Sequence, residues 1–114
     1  MASVAYDEEL AQRIREMLAA ERGVTEKKMF GGLAFLVGGN MAVAASGQGG
    51  LLVRADPADS AKLTKAGAFP MEMRGRTMDG WLRVDADRVR TTPQLAKWVD
   101  VGTTYARSLP AKKK

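Results

Sequence analysis

The residues with the most scope for chemistry lie close together near the middle of the C-terminal half: Arg74, Arg76, Trp81 and Arg83. Guanidinium groups beside an aromatic ring suit a protein interface, and they also suit nucleic acid through phosphate pairing and base stacking. Strand alternation puts Trp81 and Arg83 on one face and Leu82 and Val84 on the other, with Arg74 and Arg76 across a hairpin. These four residues are therefore the candidate partner-binding surface. A plainer reading stands beside it. Trp81 packs beneath the C-terminal helix, and the arginines are solvated with their stems along the ring.

Other reactive patterns are weaker. Asp79, Asp85 and Asp87 are close in sequence, but Arg83, Arg88 and Arg90 are interleaved with them and no calcium-loop spacing appears. Ser46, Ser60 and Ser108 have no histidine to activate them, because the chain contains no His and no Cys. The usual neutral-pH base, thiolate nucleophiles and zinc ligands are thus missing together. Gly31-Gly32 and Gly47-Gln48-Gly49-Gly50 could cradle phosphate through backbone amides. Neither is followed by Lys-Ser/Thr and a helix, and tight turns account for both. The expectation is a non-enzymatic protein with no catalytic residue, no cofactor and no metal.

Charge adds little to the nucleic-acid reading. Of the net charge of +5, Lys112, Lys113 and Lys114 in a short basic tail at 111–114 supply three units. Direct nucleic-acid binding through a basic sheet surface stays as the alternative function. No apolar run is long enough for a membrane span, and Met1-Ala2-Ser3-Val4 offers no basic region before an apolar stretch. The expected setting is cytoplasmic, with no membrane partner.

The elements that must position these residues can be read from periodicity. Leu10, Ile14, Met17 and Leu18 share one face of a helix starting at Tyr6 or Asp7 and running to Arg22, with Gly23 as its stop. Thr25 to Phe30, Leu33 to Val37, Met41 to Ser46 and Leu51 to Arg54 have strand length, with paired glycines between the first three. Asp56-Pro57 opens a short helix that stops at Gly67. Met71 to Arg74 and Trp81 to Asp85 alternate as two strands, joined by a long connection from Gly75 to Gly80. Thr92-Pro93 opens a final helix, in which Gly102 points to close approach of another backbone. The 114 residues form one domain of order αβββ(β)αββα. Its class is α+β, two-layer, with an antiparallel sheet of about five to six strands and helices packed on one face. An exposed sheet edge or open face then suits a homodimer contact.

Several stretches carry a family resemblance. They are Tyr6-Asp7-Glu8-Glu9-Leu10, Thr25-Glu26-Lys27-Lys28-Met29-Phe30-Gly31-Gly32, Leu33-Ala34-Phe35 and Gly39-Asn40-Met41. Arg76-Thr77-Met78-Asp79-Gly80-Trp81 and Ala106-Arg107-Ser108-Leu109-Pro110 complete the set. Together they resemble the N-terminal domain of the TfoX/Sxy family of competence regulators, over nearly the whole span from Tyr6 to Pro110. Met29, Phe30, Gly31 and Gly32 form the most distinctive motif, read here as shaping a hairpin. The resemblance implies a two-layer α+β fold and a regulatory, protein-interaction role, with the transcription machinery as the implied class of partner. Full-length members promote transcription of DNA-uptake genes in concert with the cAMP receptor protein and carry a second, helical domain. The match here is to a stand-alone N-terminal domain.

Overall fold

Asp7 starts the first helix by direct chemistry: its Oδ1 accepts the N–H groups of Glu9 and Leu10 at 3.0 and 3.1 Å. The structure is a computed structural model that describes residues 7–29, 31–47, 49–73 and 75–110, with backbone alone at Met29, Met73 and 76–79. Helix α1 spans Glu8–Met17 and buries Leu10, Ala11 and Ile14. It ends five residues before the expected Arg22, because Leu18 leaves helical geometry at φ −96°, ψ 6°. Gly23 serves the sheet instead of capping the helix, its carbonyl accepting from Gly38 N–H at 3.1 Å.

The strands are β1 (Val24–Met29), β2 (Gly32–Val37), β3 (Asn40–Ala45), β4 (Leu51–Arg54), β5 (Phe69–Met73) and β6 (Arg76–Val84). Among the described residues they form one six-stranded sheet of order β1-β2-β3-β4-β6-β5, every neighbouring pair antiparallel. A 3-10 turn at Pro57–Asp59 leads into α2 (Ser60–Lys65), and another at Ala86–Arg88 precedes α3 (Thr92–Ser108). Helix α3 begins with a capping box between Thr91 and Gln94, so the cap is Thr91 and not Thr92. The expected order and α+β class stand.

Alternation sorts the sheet into two faces. Phe35, Val43, Leu51, Val53, Leu82 and Val84 face the helices and pack with Ile14, Leu95 and Trp98 in the main core. Ala34, Met41, Ala44 and Leu52 form a second buried cluster on the other face, with Leu36, Met71 and Trp81 packed against it. At Ala42 the β2–β3 register slips, leaving one extra residue between the pairs Phe35↔Val43 and Leu36↔Met41. Helix α3 seats on this bulge at Gly102. A Cβ there would stand 2.2 Å from the Ala42 carbonyl oxygen.

The second hairpin differs from expectation. β6 begins at Arg76 and β5 ends at Met73, so the strands are closer in sequence than the expected loop from Gly75 to Gly80. The turn-forming residues around Gly80 make a bulge: pairing jumps from Pro70↔Leu82 to Met71↔Met78. Gly80 is held there by donating to Ser60 Oγ at 2.9 Å and accepting from Ala55 N–H at 2.7 Å.

Across α1 and β1, Arg15 donates to both carboxylate oxygens of Glu26, at 2.6 and 2.8 Å. The hydrogen bond from Arg15 is the main cause that holds the Glu26 carboxyl below its ordinary range, with the guanidinium charge acting the same way against partial burial. A lowered folded-state pKa stabilises the fold above the unfolded value, near about 4.3, and that contribution is lost as pH falls through the folded value. Glu26→Gln is therefore expected to flatten the acid limb of stability against pH. At neutral pH it should cost no more than about 1 kcal/mol, since the pair is partly exposed. Thermal melts of both proteins across the acid range check this.

Candidate functional site

One row of directly opposed residues crosses the helix-free face from edge to edge: Lys27, Ala34, Ala44, Leu52, Arg83 and Phe69, one from each strand. Directly opposed residues on antiparallel strands share a face. The two alanines are too small to fill their share of the surface, so the middle of the row is low. Beside it lies a groove of about 320 Å³, whose lining includes Gly32, Ala44, Leu52, Phe69, Met71 and Arg83.

Arg83 is the chemical centre of this groove. Leu52 on β4 and Phe69 on β5 flank it, and its side chain is half-buried. Among the described residues it has no ion pair or hydrogen bond, although Glu72 and Asp85 also line the groove. A half-buried guanidinium flanked by Leu52 and Phe69 is well placed for a carboxylate, because partial removal from water strengthens a charge-assisted hydrogen bond. Phe69 keeps 52% of its surface exposed, and no other large hydrophobic among the described residues is exposed.

Trp81 sits two residues from Arg83 on the same face, as alternation required, and it packs on the second cluster. The reading that placed it beneath the C-terminal helix is corrected: the neighbours Leu82 and Val84 occupy the helix side. The cation on its ring comes from an unexpected place. Arg54, opposite Trp81 on β4, sets its guanidinium carbon 5.1 Å from the Trp81 ring centre and 5.6 Å from that of Tyr105 on α3. This contact ties the helix-free face to α3.

The remaining site residues fall as follows. Met29 ends β1, Gly31 lies in the turn with φ +73°, and Gly32 opens β2 and lines the groove. Phe30, Arg74 and the basic tail at 111–114 lie outside the described residues, as does the side chain of Arg76, whose backbone begins β6. The structure thus brings Gly32 and Arg83 to one groove. Sequence reading missed Leu52, Arg54 and Phe69. The available signal was the single cation closing the Leu51-Leu52-Val53 run and a phenylalanine beside a proline. For Leu52 and Arg54 the pairing of β4 with β6 joins strands that are not consecutive, which no local pattern shows.

Among the described residues no group of three or more Asp, Glu, His or Cys could hold a metal ion, and no helix is long and apolar enough to cross a membrane.

Comparison with known proteins gives one finding. No curated protein and no solved structure matches the chain. The family model described as the TfoX N-terminal domain matches residues 16–106, a span that holds all six strands, the Gly31-Gly32 turn, the groove and most of α3. On that match and the α+β fold, the chain belongs to the TfoX N-terminal domain family.

Proposed function

We propose that this domain is a non-enzymatic, cytoplasmic regulatory module that docks a protein segment in the groove of its helix-free face. The observation that carries this reading is Arg83, half-buried and without an ion pair among the described residues, set between Leu52 and the exposed Phe69. The segment that fits is an apolar side chain next to a carboxylate. The apolar part covers Phe69 and Leu52, and the carboxylate meets Arg83. Regulatory proteins commonly act through such short segments, which suits membership of a family of transcription regulators. A nucleic-acid surface draws less support, because Glu72 and Asp85 share the groove with Arg83.

Selection of a displayed random-peptide library on the folded domain tests this. Enriched peptides should place Asp or Glu beside an apolar residue. Arg83→Glu and Phe69→Asp should each weaken the best peptide by about tenfold or more, with unchanged circular dichroism. Enrichment indifferent to both substitutions would remove the groove as the docking site. Duplex DNA bound with an affinity that falls steeply with salt would favour the nucleic-acid alternative.

A further inference from the structure

The two margins of the sheet are built differently. β5 contains Pro70, which has no backbone N–H, and its pairing with β6 is interrupted between Pro70 and Met71. Both features blunt an edge against strand addition. β1 has neither: it is free of proline and pairs with β2 in one unbroken register.

The bond from Gly38 N–H to the Gly23 carbonyl fixes which groups of β1 face outward. It lies one step beyond the pair Val24↔Val37, and bonded and non-bonded pairs alternate along an antiparallel ladder. Thr25 and Lys27 therefore direct their backbone groups to β2, while Val24, Glu26 and Lys28 direct theirs away from the sheet. Among the described residues nothing takes up those outward groups.

Charge supplies the second condition. Glu26 and Lys28 share the face toward α1, where Arg15 holds Glu26, and Lys27 lies on the other face. In an antiparallel copy of β1 centred on Lys27, Glu26 of each chain opposes Lys28 of the other, so the favourable pair forms twice. Centring on Glu26 would instead oppose two carboxylates. We propose that β1 pairs antiparallel with β1 of a second copy of this chain, with Lys27 at the two-fold axis, joining two sheets edge to edge. Pairs Glu26–Lys28 are then also the backbone-bonded pairs, since both residues present outward groups. Among the described residues, none that lines the docking groove is on β1, so the dimer leaves both grooves open and stands or falls independently of them. One strand on each side is a small interface, and the dimer is transient, on the order of micromolar or weaker.

Sedimentation velocity over a concentration series tests this on the full chain. The wild type should shift toward twice the chain mass as concentration rises. Lys28→Glu and Glu26→Lys should each weaken self-association by roughly tenfold or more, while a mixture of the two should form a heterodimer, because both opposed pairs then become Glu–Lys. Lys27→Thr should tighten the dimer several-fold by removing the like-charge pair at the axis, an effect that the other register would not give. Lys28→Pro should abolish it and keep the monomer's circular dichroism, since the Lys28 N–H is not part of the β1–β2 ladder. A wild type monomeric up to about 1 mM, or a dimer unchanged by both Lys28→Glu and Lys28→Pro, would overturn the proposal.

Discussion

Gly32→Ala is expected to be among the most damaging single-methyl additions to this chain. A Cβ on Gly32 would lie 2.1 Å from the Ala45 carbonyl oxygen and 3.0 Å from the Gly47 amide nitrogen. Both are backbone atoms, so no side chain can swing aside. The reciprocal contact is as close, since a Cβ on Gly47 would stand 2.3 Å from the Gly31 carbonyl oxygen. The start of β2 and the end of β3 therefore cross as bare backbone. Relieving the overlap means moving one strand, at the upper end of the roughly 1–3 kcal/mol typical of overpacking or beyond it. For a domain of this size that lowers the melting temperature by about 10 °C or more. A melt within about 2 °C of wild type would show that the crossing is looser than described. The same variant bears on the family motif: Gly32 lines the groove, so it must be tested for folding before any loss of peptide binding is read as a contact effect.

Gly102→Ala should lower stability even though alanine is the better helix former. In a helix interior the exchange alone is worth about 1 kcal/mol in favour of alanine. At this site the added methyl meets the Ala42 oxygen at 2.2 Å and the Val43 Cγ1 at 2.8 Å. Helix α3 would have to lift from the β3 bulge, drawing Trp98, Val99 and Ala106 partly out of their packing. The net expectation is a loss of about 2 kcal/mol, and Gly102→Val should lose more, about 3–4 kcal/mol, because a β-branched side chain adds further overlap. Urea unfolding of both variants beside Thr104→Ala, an exposed position on the same helix, separates the contact from helix propensity. A stabilised Gly102→Ala would mean that α3 does not rest on Ala42. Together the two glycines mark where backbone meets backbone, once within the sheet and once between the layers.

The amino-acid sequence by itself determined the element order, the class and the faces of the strands. Leu33, Phe35 and Val37, or Trp81 and Arg83 against Leu82 and Val84, alternate by a local rule that needs no knowledge of neighbours. The helix start near Asp7 was legible for the same reason, and so was the close contact at Gly102, since glycine inside a helix calls for a cause. Asp56 instead opens a 3-10 turn, and α2 begins at Ser60. The hairpins of consecutive strands were legible as well, and tertiary structure alone decided that β4 lies beside β6 with β5 at the margin. Placing β4 beside β6 brought Leu52 and Arg54 to Arg83 and Trp81, and placing β5 at the margin left Phe69 exposed beside the groove. It also turned the glycine-containing stretch before Trp81 into a bulge and sent Trp81 away from the helices. Periodicity follows from the geometry of a single chain segment, whereas pairing of distant segments follows from how the whole core closes. For that reason the candidate site could be named in part but not assembled before the fold was known.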